Sequence, residues 1–187
     1  MLRRGQLRLG SNLFHIGILA LFAGHFVGLL TPNDLYHALG LSTEAKQRVA
    51  IVAGGLFGGM CLIGLLLLIH RRLVEPRTRA TSTRMDIFIL LWILATLLLG
   101  LSSIFVSLDH RDGSVMVLLG QWAQHIVTFR GGAAEFISGA HWIYKLHLMF
   151  GMTLFVFFPF SRLVHVWSGF AAAGYLTRTY QIVRLRS

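Results

Sequence analysis

Four histidines of this chain lie where an ionisable side chain is unusual. His15 and His25 fall in a long apolar stretch near the start of the sequence, and His147 and His165 fall in another near its end. An ionisable residue at membrane depth is costly and is a functional hypothesis by default. Imidazole there can bind a metal, transfer protons or form interhelical hydrogen bonds as a neutral group. A single histidine would favour the hydrogen-bonding interpretation, whereas four on two stretches favour a functional one.

The composition indicates that membrane helices must hold these histidines. Of the 187 residues, 55% are hydrophobic and 13% are charged, whereas a soluble domain has about 25% charged residues. So few charges cannot cover a water-soluble protein of this size, which excludes a soluble enzyme. The net charge of +10 comes from basic residues between apolar runs, so a lipid surface explains it better than nucleic acid does. The single cysteine, Cys61, excludes a disulfide framework, a cysteine-ligated iron–sulfur cluster and c-type haem attachment.

Four apolar stretches are long enough to cross a bilayer, which takes about 20 residues per helix. The predicted spans are about 12–30, 49–69, 85–107 and 142–167, and a tail follows over 168–187. A shorter apolar stretch over 115–127, in the connection before the last span, predicts a helix lying at the membrane surface. The sequence therefore predicts an all-α transmembrane bundle, which forms one domain over 1–187.

The lysines and arginines predict the orientation of this bundle. Twelve of the 17 lie on the side that holds both termini, and five lie on the other side. Cytoplasmic connections have an excess of these residues, so both termini are predicted to be cytoplasmic. Trp122, Trp142 and Trp167 fall near the predicted interfaces, where tryptophan is enriched.

Orientation and helical periodicity together sort the four histidines into pairs. The first and last spans run antiparallel, so His25 and His147 lie towards the outside, and His15 and His165 lie towards the cytoplasm. At ~100° per residue, His147 and His165 share one helix face. Two facing imidazoles can supply both axial ligands of a haem iron. We therefore predict two b-type haems, one ligated by the outer pair of histidines and one by the inner pair.

The spacing of the histidines predicts that the last span is not straight. The helical rise from His15 to His25 is about 15 Å, whereas the rise from His147 to His165 is about 27 Å. A kink at Pro159, helix tilt and sloped haems are expected to absorb the difference. Glycines beside the ligands would let a flat macrocycle approach the backbone, and close helix packing explains them equally well: Gly17, Gly24, Gly28 and Gly151.

Several motifs resemble the gamma subunit of membrane-bound respiratory nitrate reductase. The two most specific are Leu146-His147-Leu148 with Gly151-Met152-Thr153-Leu154-Phe155, and Phe158-Pro159-Phe160-Ser161-Arg162-Leu163-Val164-His165. Shorter ones are Ser11-Asn12-Leu13-Phe14-His15-Ile16-Gly17, Gly24-His25-Phe26, Leu30-Thr31-Pro32, Arg77-x-Arg79-Ala80-Thr81, His110-x-Asp112-Gly113-Ser114 and Tyr175-Leu176-Thr177-Arg178. The match extends over essentially the whole chain.

The resemblance implies a di-haem cytochrome b in the bacterial cytoplasmic membrane. Such a subunit oxidises quinol near the outer haem and passes electrons to a cytoplasmic iron–sulfur beta subunit, which feeds a molybdenum alpha subunit. The resemblance assigns the haem ligands to His15, His25, His147 and His165. It places the quinol near His25 and three further residues: Gly24, Gly28 and Lys46. The family also has a spanning helix before the segment that begins here at Met1, so we expect that helix to be missing.

Further basic residues have two interpretations each. Lys46 can hydrogen-bond a quinol oxygen or extend to the lipid headgroups. Arg77, Arg79 and Arg162 can meet the propionates of the inner haem or an acidic partner surface. The basic tail from Tyr175 to Ser187 is expected to bind the cytoplasmic partner.

Two other functions remain open at this point. The first is a cytochrome b subunit of a different quinone-linked complex, such as a formate dehydrogenase, a hydrogenase or a heterodisulfide-type reductase. The second is a haem-free membrane anchor or transporter, in which the histidines handle protons or metal. The remaining histidines are interpreted as interfacial or solvated: His37, His70, His110, His125 and His141.

Overall fold

A computed structural model describes residues 2–109 and 112–166, apart from the side chains of residues 2–4 and 6. The helices are α1 (Leu2–Leu30), α2 (Asn33–Ala38), α3 (Thr43–Val74), α4 (Pro76–Ala80), α5 (Arg84–Asp109), α6 (Ser114–Val127), α7 (Ala133–Ser138) and α8 (Trp142–Phe157), followed by 3-10 turns at Phe158–Phe160 and Arg162–Val164. In these described ranges, α1, α3, α5 and α8 with its extension to Phe160 are long and apolar enough to span a membrane. The predicted all-α bundle of four spanning helices is confirmed.

The chain direction gives the two ends of the bundle their names. We call the end with residues 31–42 and 112–141 the outer end, after the predicted orientation, and the opposite end the inner end. At the outer end, α6 packs against the end of α1, where Gln124 donates from Nε2 to the carbonyl of Leu29 at 3.1 Å. The predicted short helix thus begins one residue earlier than expected and covers the last turn of α1.

Helices α1 and α3 touch at their backbones. A Cβ atom on Gly17 would lie 2.7 Å from both the carbonyl oxygen of Phe57 and the backbone nitrogen of Cys61. A Cβ on Gly64 of α3 would lie 2.7 Å from the carbonyl oxygen of Gly10. Small residues allow this close approach in membranes, so Gly17 serves helix packing, the second of its two predicted roles.

Helix α5 lies between α3 and α8 and forms much of the buried core. Its buried residues Ile89, Ile93 and Leu97 cluster with Cys61 and Leu65 of α3. On the α8 side, the indole of Trp92 donates to the carbonyl of Phe150 at 3.1 Å and stacks on the Phe150 ring. α5 is therefore held by apolar contacts on one side and by an indole hydrogen bond on the other.

The last span is shorter and more broken than the predicted range of 142–167. The α-helix ends at Phe157, and Ser161 has extended backbone with φ −123° and ψ 168°. Pro159 has no N–H to donate to the carbonyl one turn earlier, and its ring clashes with that carbonyl, which explains why the α-helix stops here although Phe158 keeps helical backbone. The predicted kink is thus a break, and the argument that His147 and His165 share a face of one helix is wrong. Trp167 and the predicted tail lie outside the described residues.

Candidate functional site

The structure brings the four histidines together in two pairs. The ring centres of His25 and His147 are 6.0 Å apart, and those of His15 and His165 are 6.3 Å apart. Helix α1 contributes one histidine to each pair, and the partners lie on α8 and just after the second 3-10 turn. If both spans were straight and their axes were aligned, the separation of the two histidines along α1 and the separation of the other two along the last span would differ by about 12 Å. Both pairs could then not meet at once, so the break after Phe157 contributes to bringing both pairs together.

The separation within each pair fits a haem iron between the two rings. A metal–imidazole bond is about 2.1 Å long and the ring centre lies roughly 1.1 Å beyond the nitrogen, so two imidazoles on opposite sides of one metal ion have centres about 6.4 Å apart. The observed 6.0 Å and 6.3 Å agree with this value. In the described part of the chain, no group of three or more His, Cys, Asp or Glu side chains could hold a metal ion. A haem would supply four nitrogen ligands of its own, so a pair of histidines would supply the two ligands that the iron still needs.

Hydrogen bonds give all four imidazoles the same tautomer. Each Nδ1 bonds a backbone carbonyl: His15 to Ser11 at 2.7 Å, His25 to Leu21 at 2.7 Å, His147 to Thr96 at 3.0 Å and His165 to Arg162 at 2.7 Å. A carbonyl oxygen can only accept, so Nδ1 carries the proton and Nε2 carries the lone pair. This tautomer and this outer hydrogen bond are typical of metal-binding histidines. The donor set therefore fits haem.

Helix α5 forms a cradle for His147 that the sequence did not reveal. The carbonyl of Thr96 accepts the His147 Nδ1 proton, although the two residues are 51 apart in the sequence. Gly100, one turn after Thr96, leaves room for the ring, because a Cβ there would lie 2.8 Å from His147 Cε1. The sequence signal for this cradle is the presence of two small residues, Thr96 and Gly100, four positions apart in an otherwise leucine-rich span.

A cavity at the outer end holds the predicted quinol-binding lysine. Lys46 is 7% exposed, and its Nζ lies 4.0 Å from the centre of the Tyr36 ring. The cavity has a volume of about 140 Å³ and is lined by Thr31–Asp34 together with Lys46, Val117, Gly120, Gln121 and Gln124. The buried position of Lys46 disagrees with a lysine that extends to the headgroups, since a snorkelling lysine keeps its charge in water.

The cavity around Lys46 lacks several residues of the predicted quinol site, and it includes one residue that was not predicted. Gly24, Gly28 and His25 are not among the described residues that line the cavity. Gly24 and Gly28 face open space, because a Cβ on either would meet nothing within 4 Å, and the same holds for Gly151. Asn33 lines the cavity, and its buried Oδ1 has no hydrogen-bond partner in the described structure. Sequence analysis missed Asn33, which looked like an ordinary residue after a proline.

The three predicted arginines lie at the inner end. Arg162 donates from Nη2 to the carbonyl of Thr81 at 3.2 Å. Thr81 directly follows helix α4, which carries Arg77 and Arg79. The Nε of Arg162 lies 3.1 Å from a carboxylate oxygen of Asp86. Arg77 and Arg79 are exposed. Arg162 is thus tied to α5, while the other two arginines remain accessible to a ligand or partner.

The other described histidines have local roles. His37 accepts from Asn33 Nδ2 at 2.9 Å, and His125 donates to the carbonyl of Gly131 at 3.0 Å. His141 accepts from the backbone of Ile143 and caps α8. His70 is exposed near the end of α3, and His110 lies outside the described residues.

Comparison with known proteins gives a consistent set of relatives. The family described as nitrate reductase gamma subunit matches residues 1–186. The chain is 53% identical over 186 residues to the respiratory nitrate reductase 1 gamma chain of Escherichia coli strain K12, covering 100% of this chain and 81% of that protein. It is 38% identical over 187 residues to the nitrate reductase gamma chain of Bacillus subtilis strain 168, covering 100% and 82%. It is also 26% identical over 154 residues to the Hdr-like menaquinol oxidoreductase cytochrome b-like subunit of Archaeoglobus profundus, covering 82% and 44%.

Proposed function

The chain belongs to the nitrate reductase gamma subunit family, and from this premise we propose that it carries electrons through two b-type haems. Quinol is oxidised near the outer haem, and a nitrate-reducing partner receives the electrons at the inner end. The observation that carries this proposal is the pair of histidine separations, 6.0 Å and 6.3 Å, with every Nδ1 bonded to a carbonyl.

The histidines define what the haems would do. His25 and His147 would hold the outer iron, and His15 and His165 the inner iron. When bound, each haem supplies a one-electron carrier. Two histidine ligands leave no open position on the iron, which suits electron transfer and not oxygen activation. The carbonyl bonds at Nδ1 orient the rings and increase the basicity of the ligands.

The cavity at Lys46 supports quinol oxidation at the outer end. A quinol that gives up two electrons also releases two protons, and at this end they leave towards the outside. Lys46 and Asn33 present a cation and an unpaired amide oxygen to the cavity, so they can bond a quinol oxygen and hydroxyl respectively. Gly24 and Gly28 leave open space on α1 beside His25, where a quinol ring can approach the outer haem.

The inner end supports electron delivery to a partner. The resemblance assigns this role to an iron–sulfur beta subunit and a molybdenum alpha subunit on the cytoplasmic side. Exposed Arg77 and Arg79 suit haem propionates or an acidic partner surface. We place the chain in the bacterial cytoplasmic membrane with both termini in the cytoplasm, because the sequence predicts that 12 of its 17 lysines and arginines lie on that side.

Spectroscopy on the intact complex tests the proposal. Pyridine haemochrome against protein should give about two non-covalent haems per chain. A quinol analogue should reduce both haems, and added nitrate should reoxidise them. A complex without a b-type α-band would support a haem-free anchor or transporter instead.

A second candidate rests on the similarity to the Hdr-like menaquinol oxidoreductase subunit. In this case the chain would be the cytochrome b of another quinone-linked complex. Quinol would still reduce the haems, but nitrate would not reoxidise them, and the co-purifying proteins would identify the acceptor.

A further inference from the structure

We propose that Asp86 is a positioning residue for the inner haem ligand His165 and that it acts through Arg162. This inference rests on the proposed function, in which His165 binds the inner iron. The inference is carried by a continuous set of contacts. It begins at Asp86 near the start of α5, passes through Arg162 and ends at the imidazole of His165.

The set of contacts begins at the carboxylate of Asp86, whose side chain is only 5% exposed. Its Oδ2 accepts from the backbone of Thr83 at 2.9 Å and lies 3.4 Å from Arg72 Nη1 at the end of α3. Its Oδ1 lies 3.1 Å from Arg162 Nε. A buried charge requires such partners, so Asp86 joins α3, α5 and the segment after α8.

The set of contacts continues at Arg162, which is held at both its side chain and its backbone. The guanidinium contacts Asp86 and donates to the Thr81 carbonyl at 3.2 Å. The Arg162 carbonyl accepts from His165 Nδ1 at 2.7 Å. The contact that orients the imidazole therefore belongs to a residue whose position depends on Asp86.

The broken helix explains why this connection is needed. The α-helix ends at Phe157 and Ser161 is extended, so the helical hydrogen bonds of α8 do not fix the position of His165. Among the described residues of this segment, Leu163 packs against the buried core and Arg162 contacts Asp86, so both attach the segment to the bundle. Of these two residues, Arg162 also accepts a hydrogen bond from the imidazole through its own carbonyl.

Asp86→Asn and Asp86→Glu in the intact complex test the proposal. We expect Asp86→Asn to shift or reduce the low-spin ferric signal and the midpoint potential of the inner haem, and to leave those of the outer haem unchanged. Asp86→Glu keeps the carboxylate and should restore the inner haem at least in part. Glu75→Gln is the matched control, because it removes another ion pair at the same end, Glu75 with Arg71 at 2.6 Å, that does not involve Arg162.

Arg162→Gln separates positioning from direct contact with the haem. If Asp86→Asn leaves both haem signals unchanged while Arg162→Gln alters the inner one, Arg162 acts on a propionate and the proposal is overturned. Loss of both haems in Asp86→Asn and Asp86→Glu alike would assign Asp86 to folding of the whole bundle and would also overturn it. The proposed function is tested separately by His165→Ala. It fails if the wild-type complex contains no haem that this substitution removes.

Discussion

The outer and inner histidine pairs are alike in geometry but are held by different forces. At the outer end both histidines lie on continuous α-helices, and the His147 ring rests against Gly100 with its Nδ1 bonded to the carbonyl of Thr96. At the inner end His165 follows a break in the last span and depends on a segment tied down by Arg162 and Asp86. The outer pair is therefore defined by the close fit of helix backbones, and the inner pair by a partly buried ion pair.

This difference predicts which changes each pair tolerates. A change of volume on α5 should disturb the outer pair, since packed interiors respond even to one added methyl group. A change of charge should disturb the inner pair, because a buried carboxylate that loses a partner is destabilised. Helix α1 contributes one histidine to each pair, so the contrast comes from the partner segments.

The largest expected effect comes from removing one ligand of the outer pair. His25→Ala or His147→Ala should remove the outer haem, lowering the haem content from about two to about one per chain. Quinol-dependent reduction should stop, while chemical reduction still shows the inner haem. Loss of the same spectral component in His25→Ala and His165→Ala would show that the histidines pair differently.

A single methyl group on α5 should distort the outer pair alone. In Gly100→Ala the new Cβ would lie 2.8 Å from His147 Cε1, and such overpacking costs about 1–3 kcal/mol. We expect a shifted outer-haem signal and slower reduction by quinol, with an unchanged inner-haem signal. Gly59→Ala is the control, because a Cβ there meets nothing within 4 Å. An unaltered outer haem in Gly100→Ala would contradict the cradle.

A change in the cavity should slow quinol oxidation without altering either pair. Lys46→Ala removes a donor to the quinol oxygen, and one such hydrogen bond is worth ~1 kcal/mol, or roughly fivefold in rate at subsaturating quinol. Both haem spectra should stay unchanged. Lys145→Ala serves as the control, since this outer lysine is exposed and donates to the carbonyl of Ser138. Wild-type rates in Lys46→Ala would move the quinol site elsewhere.

The smallest effect is expected from an ion pair at the inner end that lies outside the set of contacts to His165. Glu75→Gln removes the charge of the helix-end pair with Arg71, while the amide oxygen of glutamine can still accept the hydrogen bonds from Arg71 and Thr78. Thermal unfolding of the complex should change only slightly, and both haem signals should match the wild type. A marked shift of the inner haem in this variant would show that charge at the inner end acts generally and not through Arg162.

Features that depend on local signals could be predicted from the amino-acid sequence. The four spans follow from stretches of apolar residues, because lipid requires each helix to be apolar along its own length. The depth of each histidine follows from counting residues along antiparallel helices, and the structure brings the same two pairs of rings together. Their role as haem ligands remains a prediction. The short helix α6 was also predicted within one residue at its start.

Contacts between distant segments came only from the tertiary structure. The Thr96–His147 bond, the Asp86–Arg162 pair and the place of Asn33 beside Lys46 join different helices or connections. These contacts depend on how far each helix is rotated and tilted, and side-chain packing across the whole bundle sets both. Proline chemistry predicted a kink near Pro159, whereas the structure has a complete break, with extended backbone at Ser161. Hydrophobicity thus determines which segments cross the membrane, and packing decides which side chains meet.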